Sequence, residues 1–383
     1  MNANPLQFDL VRDTSLFKAM RNDWEMFGVA NPMLSWEWLY SWWEAFQSGK
    51  ELLLVRVQDQ TGQLVALVPW YKTVNLGGVR VIRTLGDGKA CSDYVSIICM
   101  RENQAEVERQ LATALLTNRG FQRQIGRWDW IEFEGHSEDC YAEFFAACRA
   151  HRLELYTREI ERAWVVNLGS SISSYESSLN SSFRRKLRRA QSLLRGPRVR
   201  FVLIESQEEF AQAWTTFCEL HQKRRKSLNQ PGCFTDSKFE AFLRNSTQRL
   251  LVSRQAMLTQ IWVDGNPIAS DLLLRARSGF QKYQTGVDPQ FMSWEPGHLI
   301  TAAEISYSIS EGLAEFDFLR GDEPYKRSWA ARANRLFTSR IVSTSQAARI
   351  SHRAWLAART LKRQWTWFHA NFFQTHSHQR EGV

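Results

Sequence analysis

The sequence predicts an α/β protein made of two related modules, each a mixed sheet flanked by helices. Three observations carry that expectation. Strand–turn–strand text occurs in both halves, helical text precedes it each time, and residues 281–322 read as strand, tight loop, helix and strand. Neither an all-helical nor an all-β chain fits this alternation.

The first half opens with helical text rich in tryptophan (Trp36, Trp38, Trp42, Trp43), and the chain's 16 tryptophans show no blade-like period. Residues 51–57 and 64–70 follow as strands across a polar turn at Thr61 and Gly62. The second half repeats the order: 238–242 is helical, 250–252 starts a strand, and 260–263 meets 269–274 across an Asp264-Gly265 turn. Glu-Ala-Phe stands at 44–46 and again at 240–242, with Leu-Leu-Val downstream of each at 53–55 and 250–252, repeats that chance can produce; the shared order of helix, strand and hairpin carries more weight and suggests duplication of one module. The expected division is 1–165, 166–335 and a basic helical tail at 336–383, with the strand-like 163–168 assignable to either module. Ile305, Ile309 and Leu313 at four-residue spacing make 301–312 a helix, and Phe-Asp-Phe-Leu at 316–319 is a packed strand.

A chain of 383 residues, 44% hydrophobic, can bury a sizeable core. Its six cysteines show no CxxC spacing, so reduced thiols are expected rather than a disulfide framework or a zinc site. The N-terminus lacks a basic and an apolar region, so no secretory signal is expected, and no apolar run approaches bilayer-spanning length. These features suggest a cytoplasmic protein. The net charge of +9 favours anionic partners without choosing among nucleotide phosphates, nucleic acid and lipid headgroups.

Residues 184–198 hold seven lysines or arginines and no acid, among them Arg184 and Arg188. A solvated face and a polyanion site are both open there; RNA is one such ligand, although no aromatics interleave with the arginines as a stacking platform would require. Beyond Lys326, ten basic residues face one acid, and the text around Trp355, Trp365 and Trp367 forms an amphipathic basic helix. That helix either docks on the body of the protein or touches an anionic membrane, at its inner face. The last dozen residues are expected to be disordered.

The chemistry gathers at the end of the second half. Pro296-Gly297 opens a helix whose first amides could receive a pyrophosphate at Gly297 and His298. Asp317 alternates with Phe316 and Phe318, and a carboxyl in an apolar strand must be paired or open onto a cleft. Arg320, Asp322, Glu323, Tyr325 and Lys326 crowd the end of that strand. His221 could serve as a general base or as a packing histidine, and Arg224 and Arg225 suit a carboxylate or phosphate. Gly86-Asp87-Gly88 and Ser92-Asp93-Tyr94 read as a second wall of the cleft or as turn chemistry. The chain has no dinucleotide fingerprint, Walker loop, H-E-x-x-H or G-x-S-x-G.

Taken in order, these segments resemble a known family. Ser-Phe-Arg-Arg-Lys-Leu-Arg-Arg at 182–189, Leu220-His221 with Arg224-Arg225, Asp-Gly-Asn-Pro-Ile-Ala at 264–269, Tyr-Gln-Thr-Gly-Val-Asp-Pro at 283–289, Ser-Trp-Glu-Pro-Gly-His-Leu at 293–299 and Phe-Asp-Phe-Leu-Arg-Gly-Asp-Glu-Pro-Tyr-Lys at 316–326 are similar to the GNAT-type acetyltransferases of the CelD/BcsL group. That group is linked to cellulose or exopolysaccharide production and is related to FemAB-like proteins with two GNAT-like modules. The resemblance implies two tandem GNAT-like modules and acyl transfer from acetyl-CoA or another acyl-CoA to an amine or hydroxyl of a sugar-like acceptor, with no metal. It implies donor contacts at Gln284, Thr285, Gly286, Val287, Gly297, His298 and Leu299, although a glycine-rich pyrophosphate loop is reduced here to Gly297. Acceptor contacts would fall to Arg184, Arg188, Arg224, Arg225, Asp288, Arg320 and Lys326. Asp317 or His221 would take the acceptor's proton, with Tyr283 or Tyr325 near the leaving thiol. FemAB-like relatives use aminoacyl-tRNA instead, which is the alternative donor. A further alternative is a non-catalytic accessory protein of polysaccharide production or export, and polysaccharide-synthesis proteins are the expected partners.

Overall fold

In the computed structural model, residues 5–75 and 77–377 are described, with side chains to Leu361 in the final helix. Thirteen strands among them join one continuous sheet: β1 (Gln7–Val11), β2 (Lys50–Gln58), β3 (Leu64–Val74), β4 (Arg80–Thr84), β5 (Ile98–Cys99), β6 (Trp130–His136), β7 (Glu154–Asn167), β8 (Val199–Ile204), β9 (Ala256–Val263), β10 (Asn266–Arg275), β11 (Gly279–Val287), β12 (Glu315–Arg320) and β13 (Arg332–Val342). The order across the sheet is β1-β2-β3-β4-β6-β13-β7-β12-β11-β10-β9-β8, with β5 beside β3.

That order shows two halves of the same plan facing each other. In each, an antiparallel meander ends on a strand with a parallel neighbour, β4 with β6 and β11 with β12. The halves exchange a strand. β7 lies against β12, and β13, the last strand in the chain, lies against β6; β7 and β13 pair along ten positions and weld the sheet together. The text at 163–168 therefore belongs to the seam. The expected helical tail from 336 is corrected here: 336–342 continues β13, because Leu336, Ile341 and Val342 are buried in the centre of the sheet. Helix resumes only at Gln346 and runs to Ser377. Of the last dozen residues, expected to be disordered, 372–377 continue that helix and 378–383 lie outside the described residues.

The tryptophan-rich helix Trp36–Phe46 is buried on nearly every side because it lies between the halves. Trp38 meets Phe242 of the helix Ser237–Val252 edge-on at 4.9 Å. That second helix also corrects the strand expected at 250–252. Phe239, Phe242, Leu243, Thr247, Leu250 and Leu251 recur at helical spacing, so Leu250 and Leu251 finish a buried stripe. The repeated Glu-Ala-Phe thus falls on two helices that pack together, whereas the repeated Leu-Leu-Val falls on a strand in one half and a helix in the other.

One side chain sits at the centre of the contact between the C-terminal helix and the sheet. Arg340 of β13 lies between the rings of Trp130 and Trp355, 4.0 and 3.7 Å from their centroids, while its Nε donates to Glu132 at 2.6 Å. A buried cation held by two rings and a carboxylate is costly to remove. Arg340→Ala is expected to lower stability by about 3 kcal/mol and to expose the helix to trypsin near Arg349 and Arg353. Limited proteolysis with unchanged protection of those bonds would refute it.

Candidate functional site

β11 and β12 run parallel but pair over only three residues, Gly279, Phe280 and Gln281 against Glu315, Phe316 and Asp317. Beyond Gln281 they separate. On its other edge β11 carries a bulge: Leu273 pairs with Lys282 and Leu272 with Gln284, so Tyr283 falls out of the ladder. A bulge bends the strand and releases main-chain groups from it. A cleft of about 980 Å³ fills the gap, with Lys282, Tyr283, Gln284, Thr285 and Val287 on one wall and Phe318, Leu319 and Arg320 on the other.

The helix Pro296–Ser310 contributes Gly297 and His298 to the cleft, and open space lies where a side chain at Gly297 would stand. His298 stacks on Trp329 at 4.8 Å. Burial, aided by the nearby charge of Lys186, lowers its pKa to about 4, so the ring is neutral at pH 7. Leu299 turns inward and lines instead a smaller pocket of about 250 Å³ beside the basic helix Ser181–Leu194.

The first half supplies part of the wall. Lys89, Cys91 and Asp93 reach the cleft from the loop between β4 and β5, and the Tyr283 hydroxyl donates to the Ala90 carbonyl at 2.8 Å. Burial raises the pKa of the Cys91 thiol, which keeps it protonated and a poor nucleophile.

At the floor lies a cluster that sequence reasoning missed. Lys282 Nζ donates to Thr301 Oγ1 at 2.7 Å and Glu304 at 3.0 Å, and pairs with Asp271, while Thr259 donates to Glu304 at 2.7 Å. Both carboxyl groups are 0% exposed. Burial and the charge of Asp271 push Glu304 well above the usual carboxylate range, so it holds its proton. Burial alone would lower the Lys282 pKa, yet the two carboxyl groups raise it. The available signal was Asp271 inside the otherwise apolar strand text 269–274.

The expected site residues divide between wall and support. Tyr283, Gln284, Thr285, Val287, Gly297, His298, Arg224, Arg225, Arg320, Tyr325 and Lys326 all line the cleft. Gly286 does not; it is where β11 crosses the helix Gln207–Ser227, and a Cβ there would stand 2.5 Å from the His221 amide nitrogen. His221 itself is packed edge-on against Phe234 at 4.9 Å, and burial lowers its pKa to about 4. Its ring bonds Gln222 and Gln284, which makes it a support for a cleft residue rather than part of the wall. Asp317 is also behind the wall, bonded by the Tyr94 hydroxyl at 2.7 Å and by the Leu319 amide at 2.7 Å. Asp288 pairs with Lys223 at 2.9 Å. Arg184 is spent on the carbonyls of Glu176, Ser177 and Leu179, and Arg188 on the Glu176 carboxylate at 2.8 Å. The Lys326 ammonium, though in the wall, caps the carbonyls of Leu319, Arg320 and Gly321 at 3.0 to 3.3 Å. Arg224 and Arg225 have no acidic partner among the described residues, so their charge remains available to a ligand.

This splayed pair of parallel strands with a bulge beside it and a helix running from its mouth matches a known domain. Residues 181–327 fit the family model described as an acetyltransferase (GNAT) domain. The second half carries a GNAT acyltransferase domain. No curated protein matches the chain. Among solved structures, that of FemX is similar at a TM-score of 0.60 and 12% identity, covering 87% of this chain and 96% of FemX. A conserved protein from Bacteroides thetaiotaomicron is similar at 0.55 and 12% identity, covering 88% of this chain and 100% of that one. At such identity the likeness concerns the fold alone. The expected fold, two GNAT-like modules of mixed sheet and helix, is the fold found, and residues 181–327 match the GNAT domain within it. Among the described residues, no group of three or more histidines, cysteines and carboxylates could hold a metal, and no helix is long and apolar enough to cross a membrane.

Proposed function

We propose that the cleft transfers an acetyl or other acyl group from acyl-CoA to an amine or hydroxyl of a sugar-like acceptor. The observation that carries this reading is the separation of β11 from β12 after Gln281, which leaves main-chain groups of β11 without a strand beside them. An extended pantetheine arm offers amides that can pair with such an edge, and Gly297 and His298 flank the end where its phosphates would arrive. The acceptor attacks the thioester carbonyl, the C–S bond breaks, and the acceptor's proton passes through water to the departing thiolate, giving the free thiol. Polar main-chain groups beside the bulge at Tyr283 suit the developing oxyanion, and Tyr325 in the opposite wall suits the leaving sulfur. Arg224 and Arg225 suit an anionic part of either substrate.

From the resemblance at 182–326 we infer a role in exopolysaccharide production, with polysaccharide-synthesis proteins as partners, in the cytoplasm or at the inner face of the membrane. The likeness also supports reading the chain as two modules that divide near residue 165, the second running past 335 to the end of β13 at Val342. A second reading, aminoacyl-tRNA as donor, is favoured by one observation: Arg185 and Arg195 on or at the end of the basic helix are exposed and have no acidic partner among the described residues.

A donor screen tests both. Acetyl-CoA and longer acyl-CoAs are expected to raise the melting temperature in a saturable way, and Gln284→Ala with Thr285→Ala to weaken that effect roughly tenfold. Stabilisation by charged tRNA alone, in a salt-sensitive manner, would replace the first reading with the second. No response to either would sink both.

A further inference from the structure

The two halves meet at the end of β12. The β12–β7 ladder shifts between Asp317 and Arg320, and Leu319 in the shift is left-handed, with φ 55°. A branched residue in that conformation is strained and must be held by its surroundings. Asp317 holds it from below, its Oδ1 accepting the Leu319 amide at 2.7 Å, and Tyr94 of the first half holds Asp317, donating its hydroxyl to Oδ2 at 2.7 Å. The next residue is held in the same way. Asp93, 0% exposed, accepts the Arg320 amide at 3.0 Å and its guanidinium, while Nη2 donates to the Ser92 carbonyl at 3.0 Å. Gly135 of β6 makes the approach feasible: a Cβ there would stand 2.5 Å from the Ser92 oxygen and 2.6 Å from Arg320 Nη2. Arg320 Nη1 is 3.6 Å from Glu134, outside hydrogen-bond range, and so retains donors at the cleft wall.

The equivalent place in the first half is built differently. β4 and β6 also pair over three residues, but Arg83 there pairs with Asp87 and Glu132, and Tyr71 donates to Asp87 at 2.8 Å. The first half thus carries compensated charge beside its own short parallel pair, while its loop reaches into the gap of the second.

We propose that the first half is a working part of the transfer site, in which Asp93, Tyr94 and Asp317 are positioning residues that aim Arg320 into the cleft to offer hydrogen bonds to an oxygen of the acyl acceptor. The proposal rests on the acyl-transfer reading above. As a carboxylate Asp317 accepts from both Tyr94 and Leu319; protonation removes part of that capacity. Burial raises the Asp317 pKa to about 7, against the hydrogen bonds from Tyr94 and Leu319. The other groups around it are Asp93 and the Arg320 paired with it, Glu315 on its own strand, Asn334 of β13, which bonds Tyr94, and Gln281, its register neighbour on β11. In register beside it on β7 is Val165, and one strand further, on β13, stands Arg332, which is paired with Glu315.

The test uses the full chain with 13C at the aspartate carboxyls, the Asp317 signal being the one absent from Asp317→Asn. That signal is expected to titrate near pH 7 and to move up by about one pH unit in Tyr94→Phe, because the lost hydrogen bond stabilised the carboxylate. A titration that Tyr94→Phe leaves in place overturns the clamp. In acyl transfer, Tyr94→Phe and Asp93→Asn should keep the melting response to acetyl-CoA yet lower kcat by roughly tenfold, and Tyr94→Phe should carry the acid limb of kcat to higher pH. An unaltered kcat, or a loss equal at every pH in Tyr94→Phe, would count against positioning. Should acetyl-CoA fail to stabilise the parent protein, the transfer reading falls, and the carboxyl titration still decides the clamp.

Discussion

Gly279→Ala is expected to be among the most damaging single substitutions in the chain. A Cβ at residue 279 would stand 1.8 Å from the Glu315 carbonyl oxygen and 2.6 Å from its carbon, both main-chain atoms. Main chain cannot swing aside as the end of a flexible side chain can, so β11 and β12 would have to part. Their pairing spans only three residues, and Gly279 is the first of them. Loss of that pairing would remove the fixed point from which the two strands splay and deform the cleft itself. A cost of about 3 kcal/mol or more is expected, the range for overpacking a tight interior, together with loss of acyl-CoA stabilisation. Chemical denaturation checks the first part and ligand-dependent melting the second. Stability within about 1 kcal/mol of the parent would mean that the strands tolerate the spacing after all.

Lys282→Met should cost a similar amount for an electrostatic reason. One cation faces a pair of carboxyl groups that no water reaches; with Glu304 holding its proton, removing the lysine leaves the remaining negative charge of the pair uncompensated, which costs about 3–5 kcal/mol. The pH dependence gives the prediction its direction. The raised pKa of Glu304 means that the folded protein binds this proton more tightly than the unfolded chain. Its favourable contribution is therefore present below the ordinary glutamate range and is lost as pH rises above it. The raised pKa of Lys282 places its own contribution below the ordinary lysine range, to be lost only on passing above it. Between those limits the parent cluster is compensated by its lysine. In Lys282→Met the deficit should thus be small near pH 5 and grow toward pH 8, because fewer protons are then at hand to neutralise the pair. Urea titrations at the two pH values check this. An equal loss at both would show that the methionine fails through packing rather than charge.

Much of the architecture is legible in local text. The hairpin across Asp264-Gly265, the strands around the turn at Gly62, and the helix opening at Pro296 are each set by turn or cap chemistry within a few residues. The wall residues from Tyr283 to Val287 were also within reach, because a polar strand running into a loop is visible as such. Support residues are harder to tell from wall residues. Asp317, His221 and Gly286 all look like site residues in sequence, yet each acts through a contact with a distant segment: Tyr94 for Asp317, Phe234 for His221, and a helix crossing for Gly286. The basic helix shows the same limit. Arg184 and Arg188 look free in a run without acids, but Glu176, which lies outside the run, and the carbonyl groups near it take them up.

The sequence by itself determined the class of most local elements, though not of 250–252 or 336–342, the presence of two similar halves, and the concentration of polar groups between Tyr283 and Lys326, since these depend on periodicity and on residues near one another in the chain. Only the tertiary structure decided where strands 154–167 and 332–342 go, because a strand's partner is chosen by burial on both faces and not by its own text. The same holds for the buried Lys282 cluster and for the first half's hold on Arg320, which join residues separated by as many as 228 positions. The segment that carries the chemistry is local; the contacts that aim it are not.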